Sequence, residues 1–128
     1  MSHITSVKTQ LKDAQVLRRS LEKIGYYVQE GGVISGASSA GESRAVDLLA
    51  RKDGFRIGFR RSRSDHNAYE ALADWHVQRK GQRVIINEIV RTYSREKVLD
   101  MARRRGYSVI RNQVNQRGQI ELILRKVA

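Results

Sequence analysis

The sequence predicts an α+β fold: a single domain of two β-α-β-β pseudo-repeats, with a mainly antiparallel sheet and helices on one face. Three observations lead there. The chain has 128 residues, one ordinary domain by length, and 40% apolar residues, enough for a core without disulfides. The stretch Asp13–Val28 aligns without a gap on Ser94–Val109, sharing a capping residue, a helical apolar pattern, a Gly and a Tyr-x-Val ending. Each copy is then followed by a hairpin signal. The pseudo-repeats cover about 4–61 and 84–126 within one domain, 1–128.

Taken in order, Ile4 to Leu11 reads as a weak first strand. Asp13 then offers a side-chain oxygen to the orphan amides of a helix start. Leu17, Leu21 and Ile24 recur at helical spacing, and Gly25 suits the left-handed residue after a helix end. A strand follows at Tyr26–Val28. The segment Gly31 to Gly41 is rich in Gly and Ser and reads as a loop. Val46, Leu48 and Ala50 alternate into the turn Lys52-Asp53-Gly54, and Phe55, Ile57 and Phe59 alternate out of it. Ser62 to Gly81 joins the halves, with Ala68, Leu72, Trp75 and Gln78 compatible with a short helix. Val84 to Arg91 is rich in β-branched residues and reads as a strand. Ser94 opens the second helix, with Val98, Met101 and Ala102 on its apolar side and Gly106 at its end. Tyr107, Val109 and Arg111 lead through Asn115–Gly118 into Ile120, Leu122 and Leu124, a second hairpin.

Several classes are excluded by composition. The longest apolar run is Ile24 to Val28, too short for a membrane span. Met1-Ser2-His3 opens no export signal, and Ser2 stands where N-myristoylation needs Gly. With no Cys there is no thiolate nucleophile and no Cys-based metal site. The net charge is +12, from 25 basic and 13 acidic residues, and 18 of the basic residues are Arg. Such an excess favours anionic partners: nucleic acid first, an acidic protein second and an anionic membrane third.

Two constellations fall short of chemistry. Gly36-Ala-Ser-Ser-Ala-Gly41-Glu42-Ser43 has phosphate-loop spacing, but Glu42 stands where a Lys would neutralise phosphate, and a strand follows where a helix is needed. A surface loop is the better reading, with no bound phosphate. Asp47 on one hairpin strand suggests a nuclease-like site, yet the next strand offers Gly58, Phe59 and Arg60 without the second carboxylate and Lys. Asp47 is expected at the surface, paired with a neighbouring Arg. His66 and His76 lie near Asp65 and Asp74 at no recognised metal spacing, and are expected as surface residues. No catalytic residue, metal ligand or cofactor is expected.

Basic clusters are the positive signal. Arg56 and Arg60 share a strand face with Gly58, opposite Phe55, Ile57 and Phe59, and Arg61 and Arg63 follow. Arg103, Arg104 and Arg105 form a second cluster at a helix end. These seven arginines are the candidates for binding an anion or a nucleic-acid backbone. The competing reading is that cations at a helix end satisfy its dipole and that strand charges protect an edge.

The order of short motifs resembles a known family. Met1-Ser2-His3-Ile4 with Val7-Lys8-Thr9, Val46-Asp47-Leu48, Ile57-Gly58-Phe59, Tyr69-Glu70…Ala73-Asp74, Tyr93, Gly106-Tyr107-Ser108-Val109 and Gly118-Gln119-Ile120 are together similar to the hypothetical chloroplast reading frame thirty-five family. This is a domain of unknown function found in plastids, cyanobacteria and other bacteria, and the resemblance covers nearly the whole chain. The family's Gln-Arg-Tyr reads Arg91-Thr92-Tyr93 here, the segment around Trp75 is shorter, and the chain is more basic. The resemblance implies a small soluble protein without established catalytic residues. Bacterial members look like neighbours of AAA-type ATPases, which implies an accessory or adaptor role.

The leading expectation is therefore a non-enzymatic adaptor, in the cytoplasm or the plastid stroma, docking on a protein partner such as an AAA-type ATPase. Tyr69, Asp74 and Trp75 are its partner-binding candidates, Trp being over-represented at such sites, although a core position suits Trp75 better. The alternative is a sequence-nonspecific RNA- or DNA-binding module. An exposed apolar patch around Trp75 favours the first, and a continuous Arg stripe the second.

Overall fold

In the computed structural model, residues 4–36, 43–64, 67–77 and 80–127 are described. The order is β1 (Thr5–Lys8), α1 (Ala14–Ile24), β2 (Tyr27–Glu30), β3 (Val33–Ser35), β4 (Ser43–Ala45), β5 (Leu48–Lys52), β6 (Phe55–Arg61) and β7 (Tyr69–Ala73). A 3-10 turn (Trp75–Val77), α2 (Gly81–Arg104), β8 (Tyr107–Val114) and β9 (Ile120–Lys126) complete it. Five strands pair antiparallel in the order β1-β7-β6-β5-β2, while β3–β4 and β8–β9 are separate two-stranded ribbons. The α+β class, the single domain and the antiparallel sheet are as expected.

The first half follows its local signals. Asp13 Oδ1 accepts the amides of Gln15 and Val16 at 3.1 Å each, and Gly25 closes α1 at φ 109. The Lys52–Phe55 turn places Asp53 at φ 51 and Gly54 at φ 81, two left-handed residues that suit a tight hairpin. Phe55, Ile57 and Phe59 point to the helices and are buried, as alternation requires.

Both helices lie on one face of the sheet. Leu17 and Leu21 of α1, with Ile85, Ile89 and Tyr93 of α2, close over Val28, Leu48, Ala50, Ile57, Phe59, Ala71 and Ala73. The opposite face carries a smaller cluster of Ile4, Ile34, Val46, Leu49 and Leu72. Gly58 makes room for it: a Cβ there would lie 2.5 Å from Val46 Cγ1.

The second half departs from expectation. Val84–Arg91, expected as a strand, is the first half of α2, and Ser94, expected as a cap, lies in mid-helix. The reason is tertiary. Ile85, Ile89 and Tyr93, spaced four apart, bury one side of a helix on the sheet, which outweighs β propensity. The second unit thus lacks its leading strand, and its hairpin stays outside the main sheet. Leu17 is fully buried while Val98 is 39% exposed, so no shared core relates the two halves as a pseudo-twofold. The expected short helix around Ala68–Gln78 is also replaced: β7 occupies it, sandwiched between β1 and β6, with small Ala71 and Ala73 beneath the helices. The Gly36–Ser43 loop (at 37–42), His3, Asp65 and His66 lie outside the described residues.

Polar contacts lock α1 to α2. Glu96, 1% exposed, accepts from Arg19 Nε at 3.1 Å and Lys23 Nζ at 2.9 Å. The Tyr93 hydroxyl oxygen accepts from the Asp13 amide at 2.9 Å, and Lys97 bonds Asp13 Oδ2 at 2.9 Å.

Candidate functional site

The arginines on β6 do not make a continuous open stripe. Arg56 is exposed, but Gly58 is roofed by Val46, and Arg60 donates to Glu70 at 3.2 Å. Arg61 is used structurally. Its guanidinium donates to the carbonyls of Lys12 at 2.7 Å and Asn67 at 2.8 Å, and lies 4.0 Å from the centroid of the Tyr69 ring. Its backbone amide donates to Asp47 Oδ2 at 2.8 Å, so exposed Asp47 does pair with a neighbouring Arg, through that residue's main chain. Arg63 is exposed farther along. The cluster at the end of α2 is open: Arg103, Arg104 and Arg105 are all exposed, with Arg104 3.1 Å from Asp100.

Tyr69, Asp74 and Trp75 are buried. Trp75 donates its indole N–H to the Thr5 carbonyl at 3.2 Å and packs 6.1 Å from Phe55, ring centre to ring centre. Asp74 Oδ1 caps the 3-10 turn by accepting from the His76 amide at 3.3 Å. These three hold the fold and present no free side chain to a partner. Burial raises the Tyr69 pKa, an effect that the Arg61 charge partly opposes. At Asp13, burial acts upward, but the Lys97 ammonium and the α1 amides outweigh it and leave the carboxyl below its usual value. The Lys97 pKa is raised by the same pair. Among the described residues no three His, Cys, Asp or Glu gather as they would around a metal ion.

What local reasoning missed is the outer side of α2. Its sheet-facing side buries Ile85, Ile89 and Tyr93, yet Val84, Val90, Val98 and Met101 are 36–53% exposed. A surface helix normally keeps one apolar side. Its charges are sorted as well. Glu88, Glu96 and Asp100 are buried or half-buried, while the exposed charges of α2 are Arg83, Arg91, Arg103 and Arg104.

The ribbon extends this surface. Its register, Val109↔Leu124, Asn112↔Leu122 and Val114↔Ile120, puts five apolar residues on one side. Ile120 and Leu122 meet Arg91, Arg95 and Val98 of α2 across a shallow cleft of about 250 Å³. No residue of either ribbon strand is buried. A larger cleft of about 620 Å³ lies farther back along α2, between Lys8–Leu11 and Ile86, Val90 and Tyr93. Ser94 lines both, so they meet.

A family profile described as protein of unknown function (DUF1257) matches residues 20–123. The chain belongs to the DUF1257 family. Among curated relatives it is 23% identical over 127 residues to "Uncharacterized protein ycf35" of Cyanophora paradoxa, and 25% identical over 128 residues to the protein of that name in Guillardia theta. Each match covers 98% of both chains. No solved structure matches. The resemblance read from the short motifs is therefore borne out. The matched region contains α2 and most of the ribbon, so the outer surface of α2 lies inside the DUF1257 domain. No described helix is long and apolar enough to cross a membrane.

Proposed function

We propose that this DUF1257 protein is a non-enzymatic accessory or adaptor that docks on a protein partner through the outer side of α2 and the C-terminal ribbon. One observation carries the reading: α2 exposes four large aliphatic side chains among exposed charges that are cationic alone. Aliphatic contacts drive protein association, whereas a nucleic-acid backbone calls for cations and aromatic platforms. The two-stranded ribbon supports it further, since such a ribbon with a half-open apolar side is marginal until something covers it. The complementary partner is a protein surface carrying aliphatic and acidic residues. An AAA-type ATPase, in the cytoplasm or plastid stroma, is one source of such a surface.

The test is affinity capture from extract with and without nuclease treatment, using wild-type protein and Val98→Glu/Met101→Glu. Both positions are exposed, so the variant keeps the wild-type thermal transition. A partner held by wild type and lost by the variant supports docking here. A partner held equally by both overturns it, and capture that vanishes with nuclease points to the nucleic-acid reading through Arg103, Arg104 and Arg105.

A further inference from the structure

β1 is the last strand on its side of the sheet, and its one neighbour is β7. Two bonds give the direction of its peptide groups. The Ser62 amide donates to the Ala68 carbonyl at 2.8 Å, so the even-numbered residues of β7 bond to β6 and the odd-numbered ones turn to β1. The Thr9 amide accordingly donates to the Tyr69 carbonyl at 3.2 Å. With Thr5 paired to Ala73 and Val7 to Ala71, the N–H and C=O groups of Thr5 and Val7 face β7. Those of Ser6 and Lys8 face away from the sheet, where no strand lies among the described residues.

A cleft opens at the C-terminal end of this edge. Ile86 and Val90 of α2, with Tyr93 and Leu11, wall its volume of about 620 Å³ beside Lys8 and Thr9. A strand added to β1 would run about 4.8 Å beyond it, toward that cleft. We propose that the free edge of β1 takes up an extended, acidic segment of a protein partner as a sixth strand. Its alternate aliphatic side chains enter the cleft against Ile86 and Val90.

Charge selects the occupant. Among the described residues Lys8 and Lys12 are exposed and make no ion pair, and Arg91 is exposed on α2 one residue beyond Val90. Glu70, opposite Lys8 in the ladder, is already held by Arg60. A segment with its aliphatic residues in the cleft sets alternate carboxylates on the opposite face, the side on which Lys8 lies. A second copy of the chain, pairing β1 to β1 about a twofold axis, would instead bring two Lys8 and two Lys12 to one seam. An unneutralised lysine on an edge normally discourages strand pairing, which makes acceptance selective for acidic strands. The inference shares Val90, Arg91 and Ser94 with the α2 surface proposed above, but it rests on the free edge of β1 and not on the ribbon.

The probe is the blocked peptide acetyl-(Glu-Val)4-amide, titrated into nitrogen-15-labelled full-length protein at low salt. Expected are NMR shifts confined to Thr5–Leu11 and Ile86–Ser94, with amide exchange slowed at Ser6 and Lys8. The same peptide N-methylated at alternate residues, or with Lys replacing Glu, should bind at least roughly tenfold more weakly. Ser6→Pro removes an outward N–H without touching the β7 ladder, so it should keep the fold and lose the peptide. The peptide arms need no variant and decide the matter if Ser6→Pro fails to fold. Equal binding of the N-methylated peptide, no shift at β1 at millimolar peptide, or shifts only at Ile120 and Leu122 would overturn the proposal. So would concentration-dependent β1 shifts without peptide, which would make a second copy the occupant. Val98→Glu/Met101→Glu should still bind the peptide, so the ribbon reading can fail while this one stands.

Discussion

Gly58→Ala separates an open Arg-lined strand from a closed one. The new Cβ would sit 2.5 Å from Val46 Cγ1 and 3.1 Å from Val46 Cβ, inside van der Waals contact on both. Val46 is buried and β-branched, so its atoms have little room to move aside. Overpacking of this kind costs about 1–3 kcal/mol, and the smaller unfolded-state entropy of Ala returns about 0.4–1 kcal/mol. The net expectation is a loss of about 1–2 kcal/mol. With a urea m-value of about 2 kcal/mol/M, the unfolding midpoint falls by roughly 0.5–1 M at constant m. The assay is urea unfolding followed by circular dichroism and Trp75 fluorescence, with Val46→Ala and the double variant alongside. Val46→Ala vacates the space that the new methyl needs, so the double variant should be more stable than the two losses predict, by about 1 kcal/mol. Were Gly58→Ala as stable as wild type, or the losses strictly additive, Val46 would not roof Gly58. The strand would then be as open as a backbone-binding surface requires.

Other expectations follow from the α1–α2 contacts and the arginines. Asp13→Ala should cost about 1 kcal/mol through the lost cap alone. Because the folded pKa of Asp13 is lowered, its contribution is present above its ordinary value of 3.8 and lost as pH falls through the lower folded value, so Asp13→Asn should flatten the acid limb of stability against pH. Lys97 has a raised folded pKa: its contribution holds below its ordinary value of 10.5 and is lost as pH rises through the folded value, and Lys97→Met should flatten that alkaline limb. Glu96→Ala should cost about 2–3 kcal/mol in urea, below the full penalty for a broken buried pair because the exposed Lys23 can rehydrate. Arg56→Glu should change stability by less than about 0.5 kcal/mol, whereas Arg60→Glu, which sets a carboxylate against Glu70, should cost about 1 kcal/mol by the same measurement.

Local chemistry was legible where a residue's own backbone or nearest neighbours decide its role. Asp13 and Gly25 bracket α1 because capping and a left-handed turn are properties of a few consecutive residues. Alternation over Phe55–Phe59 named the buried side of β6 for the same reason. Val84–Arg91 reads as a strand locally because β-branched residues favour one in the absence of other packing, whereas the four-residue spacing of Ile85, Ile89 and Tyr93 is the signal that marks the helix. The site candidates divide in the same way. The arginine positions were countable, but whether Arg60 and Arg61 were free depended on Glu70, Tyr69 and Asn67 arriving beside them.

By itself, then, the order of residues determined the family, the class of fold, the helix α1 and both hairpin turns, since each depends on composition or on contacts a few residues apart. Only the tertiary structure decided which apolar residues stay outside. A single helix carries Ile85 and Ile89 on one side and Val90 and Val98 on another, and the pattern along α2 does not tell them apart. The sheet and α1 cover the first side, and a layer packed beneath a helix leaves the other side out. The exposed aliphatics of α2 and the half-covered ribbon both follow from that limit on how much one small sheet can bury.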